Sequence, residues 1–221
     1  MTKRIVLCAD DYGQAPSISN AILILIKSGR VTATSCLVNQ ADWLTQAADL
    51  KPLRDQVDVG LHFNLTQGQP LSEEYRRKHG SEFLSLPRVL TKAFARRFSY
   101  HALVAEWNAQ LDQFIQGVGQ LPRYIDGHQH IHHFPQIRRA LFEVYQTRLK
   151  MDNVYIRVVS DRIAWRYVLR DPKQWLIQAS GSKVLKHWVV KHKVPHNHSF
   201  SGVYAFKTPQ TYRYWFQIFL Q

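Results

Sequence analysis

Two adjacent carboxylates, Asp10 and Asp11, close a short apolar run in the segment Ala9-Asp10-Asp11-Tyr12-Gly13. Such a pair is costly to bury unless a cation or hydrogen bonds compensate it. Taken alone, it reads as a helix-capping aspartate beside a solvated one. His62 interrupts a second apolar run, Val59-Gly60-Leu61-His62-Phe63-Asn64. By itself it is more often a hydrogen-bonded core histidine than a ligand. A third segment, Ile125-Asp126-Gly127-His128-Gln129-His130-Ile131-His132-His133, gathers four of the eleven histidines. Imidazole is a common metal ligand and proton carrier. On an extended segment His128, His130 and His132 share one face. They cannot all be ligands, so some must serve as acid-base or substrate-binding groups. One carboxylate from the Asp10/Asp11 pair with two imidazoles leaves coordination positions open. Such a set suits Zn²⁺, Fe²⁺, Co²⁺, Mn²⁺ or a water-rich Mg²⁺ site. The open positions would take a water and a substrate oxygen, which the cation would acidify and polarise.

These residues need a scaffold that brings distant positions together. Short β-type runs alternate with helical patterns. Strands are expected at Ile5 to Ala9, Thr32 to Val38, Val57 to Asn64, Pro122 to His130 and Val154 to Val158. Helices are expected from Ser17, read as a cap, to near Gly29, and over Ala41 to Leu50. Leu90 to Gly117 is helical with a break near Ser99, and Gln136 to Leu149 follows. Leu65 to Pro87 is polar and reads as an irregular insertion. This rhythm predicts an α/β fold with a parallel sheet, a distorted or incomplete (β/α) barrel. A doubly wound open sheet is the competitor. No glycine fingerprint follows the first strand, which disfavours dinucleotide binding. In a barrel, Asp10/Asp11, His62 and His128 would stand at the C-terminal rim, where active sites form.

Composition narrows the class. The chain has 221 residues, 45% hydrophobic and 20% charged, which argues against wholesale disorder and predicts one domain over 1–221. Twenty-nine basic against sixteen acidic residues give a net charge of +13, a field that attracts anions. Cys8 and Cys36 sit in apolar runs and are expected to be reduced and buried, which suits a cytoplasmic protein. They form no CxxC pair, which excludes a cysteine zinc site. The start is too short and polar for a signal peptide, and no apolar run would span a bilayer.

The ordered set of segments resembles the YdjC-like carbohydrate deacetylases, the group with the chito-oligosaccharide deacetylases and the hopanoid-associated HpnK-like proteins. The matching pieces are Ala9-Asp10-Asp11-Tyr12-Gly13, Gly29-Arg30-Val31-Thr32-Ala33-Thr34, Gly60-Leu61-His62-Phe63-Asn64-Leu65-Thr66, then Gly68, Pro70 and Leu71, and Tyr124 through His132. The resemblance implies a polysaccharide-deacetylase-like barrel that removes an acetyl group from an N-acetylated amino sugar or oligosaccharide. By position it implies Asp11, His62 and His128 as ligands of a divalent metal, Mg²⁺ or Zn²⁺. Asp10 would be the general base. Asp126 and His130 would lie close to the metal. Arg157 would contact substrate, and His130 or His132 would protonate the leaving amine. Asp126 would otherwise orient a ligand from behind.

Other readings stand beside this one. A basic nucleic-acid- or lipid-binding protein with a vestigial metal pocket would also account for the charge, as would a metal-dependent phosphoesterase; nucleic acid is not favoured. Between Trp175 and His198, Lys183, Lys186, Lys191 and Lys193 alternate with Trp175, Leu185, Trp188 and Val189. That pattern fits a helix on an anionic surface or, more simply, an outer barrel helix with a charged face. Ser180-Gly181-Ser182-Lys183 lacks the upstream glycine of a P-loop. The family's usual members continue further and carry a His-Pro-Gly element there. The apolar end, Trp215, Phe216, Ile218, Phe219 and Leu220, would therefore begin a longer helix, rather than cover the barrel or pad a homodimer interface.

Overall fold

The computed structural model of the chain describes residues 5–159, 181–202 and 209–219. Five strands form one sheet: β1 (Cys8–Tyr12), β2 (Ala33–Cys36), β3 (Asp58–Phe63), β4 (Tyr124–Gly127) and β5 (Tyr155–Ile156). They lie in sequence order and every pair is parallel. An order that never reverses rules out the doubly wound arrangement, whose strands turn back at a switch point. With every crossover running in one direction, the general right-handedness of such connections favours helices on one face, as in a barrel wall. Beyond β5, Ile156 bridges His196 in parallel, and Ile156 N–H donates to Pro195 O at 2.9 Å. This is a rudimentary sixth strand. The expected α/β barrel-like architecture is the one observed.

The helices are α1 (Pro16–Lys27), α2 (Trp43–Leu50), α3 (Glu73–His79), α4 (Leu86–Phe94), α5 (Tyr100–Val118), α6 (Pro135–Val144), α7 (Lys183–Lys191) and α8 (Pro209–Phe219). The longest, α5, starts where Ser99 Oγ accepts the Ala102 N–H and stops at Gly119, whose φ is 81°. Its buried positions, among them Leu103, Trp107, Leu111, Phe114 and Val118, recur every three or four residues. Trp107 stacks on Phe63 of β3 with ring centroids 3.5 Å apart. One continuous apolar cluster then joins the sheet to the helices.

Four expectations are corrected. The first strand begins at Cys8 rather than Ile5; Ile5 and Val6 are exposed. The first helix starts at Pro16 with Ala15 at its cap, so Ser17 lies inside the first turn; proline's fixed φ suits that opening position. The region 65–87 is not wholly irregular, because it holds α3 and the start of α4. Ser72 caps α3, Glu73 and Glu74 occupy its first turn, and arginine, lysine and histidine fill its last. Glu106 of α5 anchors this stretch by accepting the Leu71 and Ser72 N–H groups at 3.1 and 2.9 Å. Finally, the chain beyond Gly127 is a 3-10 turn, His128–His133, with Gln129 and His130 at φ of 52° and 60°. The histidines therefore do not line one face of an extended strand.

Of the basic aromatic segment, residues 175–180 with Trp175 lie outside the described residues, and Leu220 does too. In α7, Leu185 and Val189 are buried and Trp188 stacks on Phe142 of α6 at 3.7 Å. Lys183, Lys191 and Lys193 are exposed. That is how an outer wall helix packs. No helix among the described residues is long and apolar enough to cross a membrane.

Gly60 shows how closely the sheet is packed behind the site. A Cβ there would lie 2.4–2.6 Å from three ring atoms of Tyr124 on the paired strand. That ring cannot yield, since it stacks on Tyr155 and is buried. Gly60→Ala is expected to lower stability by about 1–3 kcal/mol through overpacking. Urea unfolding checks this; an unchanged midpoint would contradict it.

Candidate metal centre

The site stands at the C-terminal ends of β1, β3 and β4. Its first element is an irregularity in β1. Ala9 pairs with Thr34 and Tyr12 with Cys36, so Asp10 and Asp11 together oppose Ser35 alone. Asp11 adopts a φ of 71°. In a regular strand, neighbouring side chains point to opposite faces. A bulge breaks that alternation and re-aims a side chain. Both carboxylates can then serve one pocket. Ser35, opposite the bulge, donates its hydroxyl to Asp10 Oδ1 at 2.9 Å.

Strand register supplies the second element. His62 of β3 and Asp126 of β4 are direct partners. The His62 Nδ1–H donates to Asp126 Oδ1 at 2.6 Å, and its Nε2 lies 3.3 Å from Asp11 Oδ1. His128, first residue of the 3-10 turn, places Nδ1 2.8 Å from the same Asp11 oxygen. One donor atom each from Asp11, His62 and His128 lies within 4.8 Å of the others. The expected convergence is the observed one. A carboxylate behind the imidazole orients the ring and raises its basicity as a ligand.

Arg157 supplies the third. It follows β5, is buried, and grips Asp10 with two parallel bonds of 2.7 Å from Nη1 and Nη2. It also pairs with Asp126. Two of the three aspartates thus meet one permanent cation, while Asp11 faces His62 and His128. Burial opposes the charge of Asp10, but Arg157 outweighs it and holds the carboxyl well below the usual carboxylate range. Asp11 is held low as well, with burial overcome by its bonds to His128 and His62. On His62, burial disfavours the proton, yet Asp126, the bonds to Asp11 and Asp126, and Asp10 raise it to about 10. Two net negative charges facing two imidazole nitrogens are a fitting set for a divalent ion, and until one binds a proton on His62 offsets part of that charge.

The remaining histidines divide. His132 is fully buried, and its Nε2–H donates to the Arg157 carbonyl at 2.9 Å. His130 is partly exposed, with no hydrogen-bond partner on Nδ1. Burial first, then the Arg157 charge, hold it down to about 3, and burial does the same to His132. Both rings are neutral near pH 7. Arg157, expected to touch substrate, is placed behind Asp10 and Asp126. Three contributors escaped the sequence reading. Cys8 donates its thiol to Asp10 Oδ1 at 3.1 Å and meets the Tyr124 hydroxyl at 3.0 Å. Phe200 lies against His130 and Arg157. Tyr124 and Phe200 enter through contacts distant in sequence, and Cys8 through the bulge that turns Asp10 toward it. An open groove of about 460 Å³ between α5, α6 and α7, lined by Tyr100, Arg139, Phe142 and Trp188, shares no residue with the triad.

Two outcomes are expected for metal binding. An ion on His62 Nε2 displaces a proton that the metal-free chain keeps up to a pH of about 10. Calorimetry in buffers of different ionisation enthalpy should show about one proton released per ion at pH 7, vanishing above pH 10. The same raised value means that the proton stabilises the metal-free fold fully below histidine's ordinary value, and ceases to do so as pH rises through about 10. Binding without proton release would contradict the arrangement. Asp126→Asn should weaken metal affinity by about 10- to 100-fold, the usual effect of losing a carboxylate behind a ligand.

Comparisons with known proteins bear on this geometry. A carbohydrate deacetylase of Homo sapiens is 32% identical over 154 residues, 65% of this chain and 45% of that protein. A chitooligosaccharide deacetylase of Proteus mirabilis (strain HI4320) is 34% identical over 155 residues, 67% of this chain and 57% of that one. The chain spans about half the length of the curated relatives it matches. A solved structure from Enterococcus faecalis V583, titled as a cellobiose-phosphate cleavage protein, matches with a TM-score of 0.59 at 21% identity. It covers 80% of this chain and 64% of its own, and it supports the fold alone. The family model described as YdjC-like protein matches residues 4–219, and the chain belongs to that family.

Proposed function

We propose that this chain is a metal-dependent hydrolase that removes the acetyl group from an N-acetylated amino sugar or oligosaccharide, working as one catalytic domain over 1–221. The observation that carries the reading is the cluster of Asp11, His62 and His128 beside an Asp10 carboxylate locked by Arg157. The relatives named carbohydrate and chitooligosaccharide deacetylase support the choice of substrate. Asp11, His62 and His128 would hold the ion, with Mg²⁺ and Zn²⁺ both compatible with the donors. When bound there, a divalent cation supplies a Lewis acid for the acetamide carbonyl and for an attacking water.

The chain's own residues do the rest. Asp10 is about one-third exposed, so the pocket reaches it despite the arginine behind. Arg157 keeps it ionised and fixed in direction, and Asp10 accepts the proton of the attacking water. The low proton affinity that Arg157 imposes makes Asp10 a ready donor in turn, so the proton moves on to the leaving nitrogen. His130 is the better placed relay for that transfer, because its side chain is partly exposed. His132 is occupied with the Arg157 carbonyl and acts as a brace. Asp126 orients His62 and pairs with Arg157, which couples the ligand side of the pocket to the base side. A cytoplasmic setting accords with two free cysteines.

The test is release of acetate and a free amine from chito-oligosaccharides by the chain with added divalent metal, with phosphoesters assayed in parallel. Turnover of the acetylated sugars is expected. Hydrolysis of phosphoesters alone would favour a phosphoesterase, and salt-sensitive polyanion binding without turnover would favour a binding protein. Asp10→Asn should cut kcat by about 100-fold or more, as loss of a general base does, while the metal stays bound. Near-normal turnover in that variant would remove Asp10 from the role.

A further inference from the structure

We propose that Phe200 is the apolar platform on which the substrate's sugar ring rests beside the triad; this rests on the carbohydrate reading above. The ring reaches the site through the rudimentary sixth strand. Asn197 clamps the backbone of Val158, accepting its N–H at 2.7 Å and donating to its carbonyl at 2.9 Å. A second bond from Asn197 Nδ2 to Ser199 O, 2.8 Å, fixes the turn that follows. Phe200 is thereby delivered to the end of the sheet where Arg157 emerges. Its ring centroid lies 5.5 Å from that of His130, at 76°, and 5.4 Å from the Arg157 guanidinium carbon.

The surroundings make this ring unusual. Among the described residues, Asp10, Asp11 and His130 are partly exposed polar groups of the site, and Phe200 is a partly exposed aromatic against His130. A phenyl ring left partly in water forgoes some of the stabilisation that full burial would give. A sugar pyranose offers a match. One of its faces is a set of C–H groups with slight positive charge, and an aromatic face is negative. Its hydroxyl and acetamido groups point outward from that face, toward partners such as Asp10, Asp11 and His130. An aromatic ring beside His130 would therefore favour a carbohydrate amide over a flexible aliphatic one. Phe200 also lies over Arg157, and a cation–aromatic contact alone would give it a merely sheltering role.

Three variants separate the two roles: Phe200→Tyr, Phe200→Leu and Phe200→Ala in the full chain. The probe is di-N-acetylchitobiose. KM and kcat are measured with added divalent metal, and saturation-transfer NMR reports contact between protein and sugar ring protons in the metal-free protein. Phe200→Tyr should keep KM near the parent value. Phe200→Leu and Phe200→Ala should raise KM about tenfold, as expected for loss of one aromatic contact, with kcat little changed. Saturation of the sugar ring protons should fade in the same two variants. A parental KM in Phe200→Leu would overturn the proposal, because bulk rather than aromaticity would then suffice. So would a fall in kcat at constant KM, the mark of an effect through Arg157. If the parent releases no acetate, the deacetylase reading fails, and the NMR arm still decides this one: Phe200-dependent saturation supports it, and no saturation with the parent overturns it.

Discussion

Everything in this site follows from placing three aspartates, Asp10, Asp11 and Asp126, at one end of a parallel sheet with a single arginine among them. Carboxylates leave water at high cost unless each is paired. Arg157 pairs with two and leaves Asp11 to the imidazoles of His62 and His128. The pocket is then short of about two positive charges, the deficit that a divalent ion fills. Where no ion is bound, part of the deficit is met by a proton on His62, raised to about 10. His130 moves the other way, first because it is buried and then because Arg157 is among its neighbours. Burial and the local charges thus account for opposite shifts in two histidines of one pocket.

The scaffold serves that balance in specific places. The bulge opposite Ser35 aims two successive aspartates at one pocket, which a regular strand forbids. The His62–Asp126 pairing in register builds the ligand and its support from adjacent strands. Arg157 follows the last paired strand, and its carbonyl takes the His132 bond, so the ring behind the turn braces the arginine in front. Gly127 permits the turn itself, since a Cβ there would fall 2.9 Å from His132 backbone and side-chain atoms.

Much of this was legible from residue order alone. Strand-length apolar runs ending in Asp10-Asp11, in His62 and in Asp126-Gly127-His128 mark a rim, and the alternation with helices marks a parallel sheet. The break at Ser99 was legible too, because a serine before an apolar helical period is a local signal. What was not legible depends on pairing. Nothing near Asp11 announces a bulge, which arises from how β1 registers on β2. Arg157 was expected to contact substrate from the family resemblance, and its pairing with Asp10 and Asp126, distant in sequence, had no local signal. The histidine run suggested an extended strand, but positive φ at Gln129 and His130 turns it into a tight bend. Phe200 carries no motif, and its place follows from the Asn197 clamp on Val158.

The central claim is that Asp11, His62 and His128 hold one divalent ion. Anomalous diffraction from crystals of the chain grown with Zn²⁺ or Mn²⁺, recorded on both sides of the metal's absorption edge, tests it most directly. The account predicts a single strong peak about 2.0–2.3 Å from Asp11 Oδ1, His62 Nε2 and a ring nitrogen of His128. A fully ordered pocket with no peak there, or an ion bound only by other residues, would contradict it.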